Sequence, residues 1–354
     1  MQFMKKVLTI IGFVLLAFVL CCRWSTPVAD FYAVHIYPAI SGGMSLVASI
    51  FPFSLEEITV VCFVAALITV IVKTIKKRAG FFSWLKGTAL IVMWLFVWFY
   101  MGWGNNYFRT SLSGRLHLEK VHFDKDNFCR FLDDFTLQLN LAAEEAAGYD
   151  KDEIEDHIKE FYDVKAVACG YTGIRNWQHA KKPLLNPLYS AVGVMGYMGP
   201  FFCETQLNED LQDIEYPFVM AHEKAHLAGV TSEAEANYWG FAFCRQSNNP
   251  AIRYSGYQGL LPYVFSHANS FLTEEEYKAW VATLSPRAKA DYATSREYWQ
   301  KKRVKWINSI QHTAMDLMLR TNKVDEGAKD YYGVISILMS MDAHEDKIIT
   351  TNSK

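Results

Sequence analysis

Two histidines four residues apart flank a glutamate in Ala221-His222-Glu223-Lys224-Ala225-His226. On a helix this spacing stacks His222 and His226 on one face, with a rise of about 6 Å, and turns Glu223 about 100° away from His222. Two neutral imidazoles so placed can chelate one Zn²⁺ at about 2.0–2.1 Å each, with a third protein ligand and a water completing a tetrahedron. The ion would bring the pKa of that water toward about 7. Glu223 would accept its proton as the water attacks a carbonyl, then hand it to the leaving amine. The competing expectation is a buried amphipathic helix with two satisfied histidines, but burying two imidazoles and a carboxylate without a partner is costly.

The flanking residues predict the helix that holds the pair. Pro217 suits a first turn, where its missing N–H costs nothing, and Asp213 and Glu215 put negative charge at the positive end. Phe218, Ala221, Ala225 and Ala228 follow helical spacing into a core, and Gly229 suits a left-handed stop. The next segment, Thr231 to Gly240, offers Glu233 and Glu235 as the third ligand. Ser232 and Glu235 read as a capping box opening a new helix, which occupies Glu235 and leaves Glu233 as the expected ligand. A cap displaced by one residue would exchange the two. Asn237 lies about 40° from Glu233 around that helix, placed to hydrogen-bond a ligand, while Ala236 and Gly240 permit close helix contact.

His222-Glu223-x-x-His226 followed by Glu233-x-x-Ala236-Asn237 resembles the gluzincin arrangement of membrane-bound peptidases of the Ste24 and HtpX type and of the antirepressor-cleaving peptidases. The departure is spacing: six residues separate His226 from Glu233, far fewer than in the Ste24 type. In whole-chain layout the sequence more closely resembles an uncharacterised bacterial family known only as a domain of unknown function, with three membrane helices ahead of an H-E-x-x-H domain. The matching features are Trp103-Gly104-x-Asn106-Tyr107-Phe108-Arg109, the run before the histidines, and the Tyr332-Gly333-Val334 region. The resemblance implies a peptidase-like fold more firmly than an activity.

Three apolar runs precede the histidines: Val7 to Cys22 after Lys5 and Lys6, Ile58 to Ile75, and Gly87 to Trp103. Each predicts a transmembrane helix near the lower limit for about 30 Å of hydrocarbon. A cleaved signal peptide is the other expectation for the first run, and lipidation at Cys21 or Cys22 a weaker one. Lys73, Lys76, Lys77, Arg78 and Lys86 crowd the second connection, which places it in the cytoplasm. The N-terminus is then inside, and residues 24 to 57 and everything after Trp103 are outside a bacterial plasma membrane. The same basic stretch also suits anionic lipid.

The expected layout is a membrane domain over 1–110 and one extracytoplasmic domain over 111–354, a mostly helical α+β zincin-like (gluzincin) fold with a small sheet. Helices are predicted around 125 to 163, 256 to 268, 273 to 284, 286 to 320 and 329 to 341, with Pro262 and Pro286 as breakers. Strands are predicted over Val164 to Cys169 and Gly193 to Thr205. Gly196, Tyr197 and Met198 form the candidate strand for an extended substrate, or else an internal strand or apolar loop packing on the membrane-proximal core. Tyr331 or Tyr332 is a candidate donor to an oxyanion, or a core aromatic. His117, His122, His157, His179, His267, His312 and His344 have no ligand spacing. The net charge of −2 argues against nucleic acid. Cys129, Cys169, Cys203 and Cys244 leave every disulfide pairing open.

The reading these residues support is a membrane zinc metallopeptidase acting on peptide or protein, with one Zn²⁺ per chain held by His222, His226 and Glu233. Two alternatives use the same residues. One is a membrane sensor or binding module with a structural zinc site, and the other a zinc amidase acting on cell-wall peptides.

Overall fold

Gln2–Trp24 (α1), Leu55–Ile75 (α4) and Phe81–Gly102 (α5) are helical, and each holds a 19-residue stretch long and apolar enough to cross a membrane. Their side chains are largely exposed, as lipid-facing residues would be: Ile10, Phe13, Val14, Val61, Ile68 and Val92 among them. The computed structural model describes residues 2–76, 81–118, 124–324, 327, 330 and 333–342. Its chain divides into two compact units. The first comprises Met1–Thr110, Arg175–Leu185 and Met198–Gln206, and the second Ser111–Ile174, Asn186–Tyr197 and Leu207–Lys354.

In the first unit, the connection after α1 is itself helical. Pro27 and Pro38 open Thr26–Phe31 (α2) and Tyr37–Ser49 (α3), where an absent N–H is harmless, and a single π-turn, Tyr32–Ile36, joins them. Tyr32 and Tyr37 are fully buried. The acidic pair at the start of α4 is buried as well. Glu57 accepts from the backbone N–H groups of Leu184 and Leu185, and Glu56 Oε2 from those of Phe201 and Phe202. Glu204 completes the network by accepting from the Glu56 N–H, the Ser54 hydroxyl and Lys181 Nζ.

The second unit begins with the short helix Leu112–Arg115 (α6), Lys125–Glu145 (α7) and Lys151–Phe161 (α8). Asp124 and Asp150 cap α7 and α8 by accepting from first-turn N–H groups. Val164 to Cys169, expected as a strand, is helical: α8 runs through a π-turn, Tyr162–Ala166, and on to residue 168. Burial of Ile154, Ile158, Tyr162 and Ala166 on one face outweighs the β preference of two valines. Asn186–Val192 (α9) precedes the two strands of the described residues, Gly196–Gly199 (β1) and Glu204–Leu207 (β2); the one strand expected over Gly193 to Thr205 is instead β1, a turn at 200–203 and the start of β2, which runs on to Leu207.

Next come Tyr216–Leu227 (α10), Glu233–Gln246 (α11), Pro250–Phe271 (α12), Glu274–Thr283 (α13), Pro286–Lys302 (α14) and Lys305–Thr321 (α15), and then a helical stretch at 334–342. Thr273 and Glu276 form a reciprocal capping box at α13. Pro262, expected as a breaker, lies inside α12. Its ring removes the N–H that would bond the Gln258 carbonyl, and buried Leu260, Leu261 and Val264 on either side keep the helix packed through the defect. Phe135 and Phe241 both meet Tyr257 edge-on, so α7, α11 and α12 share one core. All seven cysteines are free thiols, so no disulfide joins Cys129, Cys169, Cys203 or Cys244.

Candidate metal centre

The centre of α10 is fixed from four sides. The Tyr162 hydroxyl donates to the Ala221 carbonyl at 2.7 Å, and the Phe218 N–H donates to Ser255 Oγ at 3.2 Å. Lys224, fully buried, pairs with Glu155 of α8. On the fourth side Gly240 of α11 lies so close that a β-carbon there would stand 3.1 Å from the Phe218 carbonyl oxygen and 3.3 Å from the His222 nitrogen. That approach lets the first turn of α11 reach the histidines.

His222 Nε2 and His226 Nε2 are 3.1 Å apart, and Glu233 Oε2 lies 3.3 Å from the first and 3.4 Å from the second. An ion about 2.0–2.1 Å from each of three tetrahedral donors spaces them about 3.3–3.4 Å apart. The three donor atoms therefore already have nearly the separations of one face of such a tetrahedron. Among the described residues these three make the one His/Cys/Asp/Glu group compact enough to hold a metal ion. His222 Nδ1, Glu233 Oε2 and Asn237 Nδ2 are buried without a well-directed hydrogen bond among the described residues. Burial opposes a charge on His226, yet the adjacent Glu233 carboxylate overrides it and pushes its pKa up to about 9. Burial likewise opposes ionisation of Glu233, and the two imidazoles nonetheless hold it far below the usual carboxylate range. The cluster favours positive charge at its centre, and the donor set, two imidazoles and a carboxylate, suits Zn²⁺.

The turn after α10 sets the His226 tautomer. Gly229 has φ +97°, its N–H donates to the His226 carbonyl, and the Val230 N–H donates to the Ala225 carbonyl, which together form a Schellman turn. The turn brings the Val230 carbonyl to 2.8 Å from His226 Nδ1. A carbonyl only accepts, so Nδ1 carries a proton, and in the neutral ring Nε2 is the nitrogen left with a lone pair for a metal ion. Asn237 was the expected partner, but although buried it bonds neither histidine among the described residues. Gly229→Ala strains a left-handed position and shifts the Val230 carbonyl. It is expected to weaken metal affinity by about 10–100-fold, measured by competition with a chelating dye.

Glu235 is turned to other partners. It accepts from the Leu112 N–H at 2.8 Å and from the Tyr171 hydroxyl. Ser232 does cap α11, accepting from the Glu235 N–H at 3.2 Å, but the return half of the expected capping box is absent. Its place is taken by Asp330, far along the chain, whose Oδ2 accepts from the Ser232 hydroxyl and the Glu233 and Ala234 N–H groups. Burial raises the Asp330 pKa against these bonds.

Glu223 is 6% exposed and lies against β1. A β-carbon on Gly196 would stand 2.6 Å from Glu223 Cγ and 2.7 Å from Oε1, so any side chain there pushes that carboxylate aside. Tyr197 and Met198 follow Gly196 in β1. Gly196→Ala must displace the carboxylate while leaving all three donor atoms in place. Since about 1 Å of misplacement costs roughly a hundredfold in rate, any turnover that depends on the Glu223 carboxylate is expected to fall by about that factor at unchanged metal content. Tyr331 and Tyr332 lie outside the described residues.

A helical protein with three apolar, span-length helices and a buried two-histidine, one-carboxylate cluster is thereby defined. The family described as protein of unknown function (DUF3810) matches residues 32–339, and the chain belongs to it. Neither the curated proteins nor the solved structures contain a match.

Proposed function

We propose that this protein is a membrane-anchored zinc metallopeptidase with a gluzincin-like site. His222, His226 and Glu233 would hold one Zn²⁺, which when bound supplies Lewis acidity to a water and to the scissile carbonyl. Glu223 would hold the water's proton at its carboxylate and pass it to the leaving nitrogen. The observation that carries this reading is the triangle of donor atoms, 3.1, 3.3 and 3.4 Å on its edges, beside a glutamate that is not part of it. The resemblance of H-E-x-x-H and the downstream Glu233-x-x-Ala236-Asn237 to peptidase motifs supports the same chemistry.

The position of β1 supports a peptide as substrate. Lys181 bridges to Gln206 of β2, so the sheet runs from Lys181 through β2 to β1, and no strand covers the outer edge of β1 among the described residues. An extended peptide could pair with that edge. The basic connection between the second and third spans favours a cytoplasmic loop, which puts the site outside the cytoplasm. The full chain in detergent, offered a peptide library and separately muropeptides, should cleave peptides, lose activity with a chelator and regain it with Zn²⁺. Cleavage that survives complete metal removal would refute the proposal, and preference for muropeptides would redirect it to an amidase.

The burial of Glu223 favours a second reading, a structural metal site in a sensor or binding module. Such a site holds no exchangeable water, and replacing Glu223 would then lower stability rather than rate.

A further inference from the structure

Helix α15 carries apolar residues on two faces, one inward and one outward. Its inner face, with Ile307, Met315, Met318 and Leu319, packs on its own unit, and Leu319 is fully buried. The opposite face has Trp306 68% exposed, Ile310 62% and Leu317 63%. At 100° per residue these three fall within about 40° of one another, in a stripe about 16 Å long. Neighbouring Val304 and Leu188 of α9 are also exposed, at 37% and 48%. Val304 is tied to α9 by its N–H, which donates to the Ala191 carbonyl at 2.8 Å.

We propose that this outward stripe of α15 lies in the surface of the bilayer, as an interfacial helix separate from the three spans. Its composition fits: a tryptophan and two long aliphatic residues point outward, and cationic residues gather at the entry to the helix. Lys301 and Lys302 are paired with Glu297 and Asp210, whereas Arg303 and Lys305 are exposed and make no ion pair among the described residues. Such helices sink an apolar face about 5–10 Å into the headgroup boundary while their cations meet anionic lipid. A chain bearing three span-length helices holds the rest of itself near a bilayer, so this contact is made at high effective concentration. A second copy of the chain fits less well, because one narrow stripe falls short of the roughly 800 Å² per partner of a stable interface.

The test uses the full chain, one molecule per nanodisc, in mixed zwitterionic and anionic lipid. A fluorescent amino acid is placed at position 310 or, as control, at the exposed position 312, which faces away from the stripe. Bromine atoms on the acyl chains near the headgroup should quench the probe at 310 more than bromine near the chain ends, and should leave the probe at 312 bright. Trp306→Glu with Leu317→Glu, both at exposed positions, should abolish the quenching while far-UV circular dichroism stays unchanged. A bright probe at 310 in every lipid, equal quenching at 310 and 312, or quenching that survives the double substitution would overturn the proposal. None of these readouts depends on metal or activity.

Discussion

Glu223→Gln is expected to keep its metal and lose peptide hydrolysis by about 10²–10⁴-fold, the usual contribution of a positioned general base. The amide has the same shape, so it still fits against Gly196. It cannot take up a proton at neutral pH. Glu223 is not among the three donor atoms, so the ion's own contacts are untouched. Metal content and turnover should therefore separate in this variant, and measuring both on one preparation checks the expectation. Parental turnover would remove Glu223 from the chemistry. Loss of metal together with turnover would instead make it part of the cage.

The second large effect is on stability. Lys224 has no exposed side-chain surface, and Glu155, whose side chain is 21% exposed, is its ion-pair partner. Burial pulls the Lys224 pKa down, and the Glu155 carboxylate opposes that pull. Glu155→Ala leaves an ammonium group buried behind the histidine helix, which costs about 3 kcal/mol, the lower end for a broken buried pair because Glu155 keeps some solvent contact. Replacing both partners, Glu155→Leu with Lys224→Met, removes charge and counter-charge together and should recover most of that loss. Thermal unfolding of the four proteins in one detergent gives the cycle. A single variant as stable as the parent would show that Lys224 finds another partner or gives up its proton.

The parts of the site that are local in sequence were legible there. His222 and His226 share a face because helical period fixes it, and Gly229 signals the stop because only glycine accepts φ +97° cheaply. Ser232 likewise marks the start of α11. What stayed hidden depends on distant segments or on backbone atoms. Periodicity cannot show that Glu235 is held by Leu112 and Tyr171, nor that Asp330 reaches back to the first turn of α11. The partner of His226 is the Val230 carbonyl, which no side chain announces, though the Gly229 turn that delivers it is visible. Asn237 looked better placed because side-chain reasoning favours side-chain partners. The same limit hides Glu56 and Glu57, whose carboxylates are buried acceptors of backbone N–H groups from distant segments. Val164 and Val167 favour a strand by propensity alone, and the helix that continues into them overrides that preference.

Metal content is the most direct measurement of the central claim. Elemental mass spectrometry on the detergent-purified full chain, with Glu233→Ala and Glu235→Ala prepared alongside, should find about one zinc per chain in the parent and in Glu235→Ala, and a large loss in Glu233→Ala. A parent protein that is folded yet free of metal after growth and purification with zinc present would contradict the account, as would zinc retained in full by Glu233→Ala.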